Sequence, residues 1–164
     1  MATSLKNLSD YDHEKIPTGE TMKIGIVVSE WNKDITFALS KGAIETLLKH
    51  GVKEENIIID YVPGSYELSY GAQVLAANQT IDAVIALGCV IQGETRHFEF
   101  ICQAVSQGIT NVSLKYNKPV IFGVLTTDTW QQARERSGGK HGNKGVEAAV
   151  TVLKMVDFSR RNKN

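Results

Sequence analysis

Cysteine is scarce in this chain: Cys89 and Cys102 are the only two in 164 residues, and each lies in an apolar run. With no CxxC pair and no cluster of histidines around them, they give neither a disulfide framework nor a structural zinc motif. They read as small buried hydrophobes with reduced thiols. Proline is almost as rare, at three residues, and no Pro-, Gly- or Ser-rich tract interrupts the chain. The sequence therefore offers no linker and no second domain. Net charge is also missing, because 18 Lys and Arg balance 18 Asp and Glu. A neutral chain has no global field for nucleic acid or an anionic membrane, so any attraction for an anion is local. No apolar run reaches the roughly 20 residues of a membrane span. The opening stretch, MATSLKNLSDYDHEKIPTGET, lacks the apolar core of a signal peptide. The expectation is a cytoplasmic protein that binds neither nucleic acid nor membrane.

The chain does have 42% hydrophobic residues, in a regular alternation of patterns. Residues 1–20 are polar and aperiodic and read as an N-terminal arm; residues 21–164 read as a single domain. "KIGIVVS" (23–29), "NIIIDYV" (56–62), "IDAVIALGCVI" (81–91) and "PVIFGVLT" (119–126) are strand-like runs rich in branched residues. Between them lie helical patterns. One covers about 34–50, with Asn32 or Asp34 as cap, Ile35, Leu39, Ala43 and Leu47 on one face and Gly51 as stop. Another runs from Pro63-Gly64-Ser65 as far as about Asn78. A third carries Phe98, Ile101, Cys102, Val105 and Ile109 as an i, i+3, i+4 stripe. A short helix near 128–136 and a longer one near 144–160, with Val146, Ala149, Val150, Leu153 and Val156 inward, end the chain. Continuous apolar strands alternating with helices predict a four-stranded parallel sheet in a three-layer α/β/α sandwich.

In such a sheet, ligands bind beyond the carboxyl ends of the strands. The segments just after the strands therefore form the candidate site: Ser29 to Asn32, Pro63 to Glu67, Val90 to His97, and Thr126 to Asp128. This rim suits a flat heteroaromatic ligand with a polyhydroxy chain, Trp31 stacking on the ring and hydroxyls and carboxylates meeting the chain. Simpler readings stay open for single members. Trp31 could be a partly buried aromatic, Ser65 an N-cap, and Glu67 a first-turn acid favoured by the helix dipole. His97 is less easily explained by packing, because it lies beside the apolar stripe. At a helix N-terminus the imidazolium is disfavoured, which suits a proton acceptor near neutral pH. His13, His50 and His141 lack that setting. "RERSGGKHGNKGVEAA" (134–149) gathers Arg134, Arg136, Lys140 and Lys144 around four glycines ahead of a helix. It is either a phosphate-binding loop or a solvated basic one, and it is not a Walker A motif.

Taken in order, "SEWN", "VPGSYEL", "GCVIQGETRHFEF", "VIFGVLTTDTWQQARERSG" and "GNKGVEAA" resemble the 6,7-dimethyl-8-ribityllumazine synthase family over about residues 23–150. The resemblance implies a flavodoxin-like fold. It also implies a transferase of riboflavin biosynthesis that joins 5-amino-6-(D-ribitylamino)uracil to 3,4-dihydroxy-2-butanone 4-phosphate without metal or organic cofactor. By that motif, His97 is the catalytic proton carrier and Trp31 stacks on the pyrimidine. Ser65, Tyr66 and Glu67 line the ribityl pocket, Tyr66 standing where Phe is commoner. Cys89, Val90 and Ile91 border the ring. Glu94, through its backbone N–H, and Thr95 hold the phosphorylated ketone. Phe122 and Arg136, with Lys144 and Glu147 nearby, are implied to come from a neighbouring subunit, with Arg136 on the phosphate. The family's unit is a homopentamer, sometimes a decamer, and in some members twelve pentamers form an icosahedral capsid of 60 chains. The uninterrupted loop "RSGGKHGNKG" resembles that of shell-forming members. A flavin- or pterin-holding module without turnover would share Trp31 and the rim, but would need neither His97 nor Arg136.

Overall fold

The computed structural model describes residues 7–162. Strands β1 (Ile24–Ser29), β2 (Ile57–Val62), β3 (Ala83–Ile91) and β4 (Val120–Thr127) form one parallel sheet in the order β2-β1-β3-β4. Helices α1 (Lys33–Lys49) and α5 (Lys144–Arg161) cover one face; α2 (Leu68–Ala77) and α3 (His97–Tyr116) cover the other. The two-residue period of a strand sorts its side chains between the layers. Ile24, Ile26 and Val28 of β1 join Leu39, Leu47 and Leu153, whereas Val27 joins Leu68, Val105 and Ile109. Burying one such Leu or Ile side chain is worth about 1.5–3 kcal/mol, so this double core is what holds the sandwich. The architecture is the expected three-layer α/β/α, flavodoxin-like fold.

Local details differ from the sequence reading in instructive ways. Asn32 stands at the N-cap position of α1, but its backbone is left-handed (φ 60°) and its side chain makes no capping bond. Its Nδ2 instead donates to the Cys89 carbonyl at 3.1 Å, tying the end of β1 to the end of β3. Gly51 stops α1 as expected, in the left-handed region (φ 90°) that favours glycine. The short helix α4 (Trp130–Glu135) leads into a small antiparallel pair, β5 (Ser137–Gly139) and β6 (Gly142–Asn143), where the sequence suggested only a loop. On α5, Val146 is half-buried, and Ala148 and Val152 enter the core beside Ala149, Leu153 and Val156.

Residues 7–22 lie against the body of the domain. The Leu8 N–H donates to His141 O at 2.8 Å, the Asn143 N–H to Ser9 Oγ at 3.0 Å, and the Gly19 N–H to His50 O at 2.8 Å. Tyr11 and His13 meet His50 at the end of α1. The Tyr11 hydroxyl is 3.2 Å from His50 Nε2, and the two imidazoles stack with centroids 5.9 Å apart. Burial, then the neighbouring His13 and Lys49, hold His50 below the usual histidine range. The folded chain thus takes up this proton at lower pH than the unfolded chain. The packing of residues 7–16 on α1 is worth most above the ordinary histidine pKa of about 6.5, and it weakens as pH falls from there through the lowered value. Thermal melts should therefore show a larger loss between about pH 7 and about pH 5 for the natural chain than for His50→Gln. Equal slopes would refute the assignment.

Candidate active site

An open cleft of about 680 Å³ lies beyond the carboxyl ends of β1, β2 and β3, where the parallel sheet places its ligand-binding edge. From the segment after β1 come Trp31 and Asn32; from the turn after β2 come Gly64, Ser65, Tyr66 and Glu67. The end of β3 supplies Cys89, Val90 and Ile91, the connection into α3 supplies Gly93 and Thr95, and the first residue of α3 supplies His97. Phe98 and Ile101 on the first turns of α3 close the wall.

Trp31 is 72% exposed, so the reading of an ordinary packed aromatic does not apply; its ring is presented to the cleft. Ser65 is not an N-cap either. The cap position of α2 is Glu67, which makes no side-chain cap bond, and Ser65 Oγ is buried with no hydrogen-bond partner among the described residues. His97 is the first residue of α3 and is exposed at the cleft; its N–H donates to Thr95 Oγ1 at 3.4 Å, which places the Thr95 hydroxyl beside it. Cys89 is buried, and burial pushes its thiol up to about 12, so it borders the cleft as an uncharged group. Cys102, half-buried, is also raised by burial.

The remaining expected residues do not line this cleft. Glu94 is exposed beside it. Phe122 is half-buried on the edge strand β4 and packs against the α2–α3 side of the core. Arg136, Lys144 and Glu147 form a separate group around the β5–β6 pair. The Lys144 N–H donates to Arg136 O at 2.9 Å, Arg136 Nη1 donates to Gln132 O at 3.0 Å, and Lys144 Nζ meets Glu147 Oε1 at 2.6 Å. Among the described residues that line the cleft there is no arginine or lysine. Phe98 and Ile101 are the members the sequence reading put in the core. Their stripe is genuine, but its first turns overhang the sheet edge, and only Val105, Ile109 and Val112 reach the core.

A doubly covered parallel sheet whose cleft pairs an exposed indole with a polar turn and an imidazole defines a small-molecule site of the flavodoxin-like α/β class. Comparison narrows this. The sequence model of the 6,7-dimethyl-8-ribityllumazine synthase family matches residues 21–160. The chain is 64% identical over 156 residues to the 6,7-dimethyl-8-ribityllumazine synthase of Cytophaga hutchinsonii, covering 95% of this chain and 98% of that protein. It is 59% identical to the protein of that name from Porphyromonas gingivalis, covering 98% of this chain and 99% of the other, and 58% identical to that of Parabacteroides distasonis, covering 97% and 99%. The chain belongs to the 6,7-dimethyl-8-ribityllumazine synthase family.

Proposed function

We propose that the protein condenses 5-amino-6-(D-ribitylamino)uracil with 3,4-dihydroxy-2-butanone 4-phosphate to give 6,7-dimethyl-8-ribityllumazine, inorganic phosphate and water. The supporting observation is one cleft that joins an exposed indole, a turn of polar side chains and an imidazole, in a chain of this family. The aromatic amine adds to the ketone and loses water to form an imine. Phosphate leaves by elimination, and the second amine closes the ring with loss of a further water. In this reading Trp31 stacks on the pyrimidine, bordered by Cys89, Val90 and Ile91. Ser65, Tyr66 and Glu67 receive the ribityl hydroxyls. Thr95 and the Glu94 backbone hold the phosphorylated ketone, since the Glu94 carboxylate itself would repel a phosphate. His97 carries protons between the reacting atoms, the imidazole both accepting and donating a proton.

The phosphate needs a cation, and among the described residues that line the cleft of one protomer there is no arginine or lysine. Arg136, flanked by Lys144 and Glu147 and accompanied by Phe122, enters from an adjoining protomer in a pentamer, in the cytoplasm. Assembly of pentamers into a closed shell is the wider form of this reading, and static light scattering giving a mass near five chains would remove it. Mixing both substrates with the protein and following lumazine fluorescence tests the activity itself. No rate above the uncatalysed background would end the proposal. His97→Ala is expected to slow turnover by between about fivefold and a hundredfold without abolishing it, because holding two reactants together still accelerates their union. An unchanged rate would remove His97 from proton transfer.

A further inference from the structure

Among the described residues three buried hydroxyls, of Ser29, Ser65 and Ser69, lack partners, and the first two lie at or just after the strand ends by the cleft. Ser29 ends β1 with its side chain fully buried, at 0% exposure; Ser65, at 6%, opens the turn after β2 and lines the cleft. Neither oxygen has a hydrogen-bond partner among the described residues. Both lie near Gly88 of β3, where a Cβ would be 2.7 Å from Ser65 Oγ and from Leu68 Cδ1 and 3.5 Å from Ser29 Oγ. Leaving a buried hydroxyl unpaired is destabilising, and alanine would fill the same space without that cost. Packing therefore does not explain a serine at position 29. The Gly88 contact adds a second observation, since a side chain there would press on Ser65 Oγ and come within van der Waals contact of Ser29 Oγ.

We infer that Ser29 is a positioning residue for the polyhydroxy chain of the substrate, acting through Ser65. A rotation about one side-chain bond brings Ser65 Oγ toward Ser29, whose hydroxyl then donates to it. The Ser65 hydroxyl proton is left directed into the cleft, where a ligand hydroxyl accepts it. The chain hydroxyl completes a relay whose members are otherwise unpaired, so a ligand without that hydroxyl gains nothing from Ser29. This rests on the proposed reading that the cleft holds a ring bearing a ribityl chain.

The test compares the dissociation constants of 6,7-dimethyl-8-ribityllumazine and of 6,7,8-trimethyllumazine, which keeps the ring and lacks the chain. Ser29→Ala should weaken the ribityl compound by about five- to tenfold and leave the trimethyl compound unchanged. Its melting temperature without ligand should equal or exceed that of the natural chain. Ser65→Ala should show the same loss, and the double variant no more than either single one, because the two act as a unit. Equal losses for both ligands, no loss for either, or a double variant showing the summed effect would each overturn the inference. Failure of the natural chain to prefer the ribityl compound would instead overturn the underlying functional reading, and this inference with it.

Discussion

Gly145→Ala should unfold the carboxyl-terminal part of the domain, lowering stability by about 3 kcal/mol or more. Gly145 is the second residue of α5, where that helix crosses α1. A Cβ there would overlap the carbonyl oxygen of Leu39 and lie 2.7 Å from its carbonyl carbon. Those are backbone atoms in the middle of α1, so no side-chain rotation relieves the overlap. Helix propensity works the other way, since alanine is better than glycine by about 1 kcal/mol at most, and the overlap exceeds that. Moving α5 away from α1 would also break the bond that Asn143 Nδ2, at the N-cap of α5, donates to Ala38 O at 2.9 Å. The segment carrying Arg136 and Lys144 would move with it. Gly93→Ala is the control, because a Cβ there meets nothing within 4 Å. Urea titration should show a much lower midpoint for the first variant and none of that loss for the second. A Gly145→Ala midpoint equal to that of the natural chain would refute the packing argument.

The same physics decides why some of this was readable from sequence and some was not. Strands β1 and β3 are buried on both faces by helices, so they are apolar nearly throughout and bounded by polar turns, whereas the edge strand β2 carries the exposed Asp60 and Tyr61. The helix faces repeat because α1 and α5 each press one stripe on the sheet. Topology then fixed the site edge, bringing Trp31, the Ser65–Glu67 turn, Cys89–Ile91 and His97 to one cleft. Periodicity says nothing about how far a helix overhangs its sheet, and for that reason Phe98 and Ile101 read as core. The β5–β6 pair was invisible because it is built largely of glycine, whose lack of a side chain leaves no alternation to detect. Asn32 looked like a cap because capping residues are recognised by type. Its left-handed backbone and its bond to the Cys89 carbonyl depend on a strand 57 residues away. Phe122 and Glu147 enter only through the family resemblance; Arg136 and Lys144 stand out as a candidate phosphate loop, but nothing in their spacing joins them to His97.

That separation yields the most decisive experiment. Arg136→Ala should raise the KM for the phosphorylated ketone about a hundredfold or more and leave that for the pyrimidine nearly unchanged, because a bidentate arginine contact to phosphate is among the strongest polar contacts available. A rival cation sits on the same chain as His97: Arg96, exposed at the N-cap of α3. Mixed assembly separates the two. Unfolding His97→Ala and Arg136→Ala chains together and refolding them combines the variants at random around a head-to-tail ring. If each site takes its imidazole from one chain and its guanidinium from the next, about a quarter of the sites regain both groups, and activity at low ketone concentration rises well above either variant alone. If one chain supplies both groups, no mixed site is whole, and the mixture shows only the mean of the two variants. The first outcome is expected, because Arg136 bonds to Gln132 and Lys144 at the β5–β6 pair while the cleft opens beyond β1, β2 and β3. The second outcome, with a ketone-specific loss in Arg96→Ala, would move the phosphate contact to Arg96 and make each protomer a complete site.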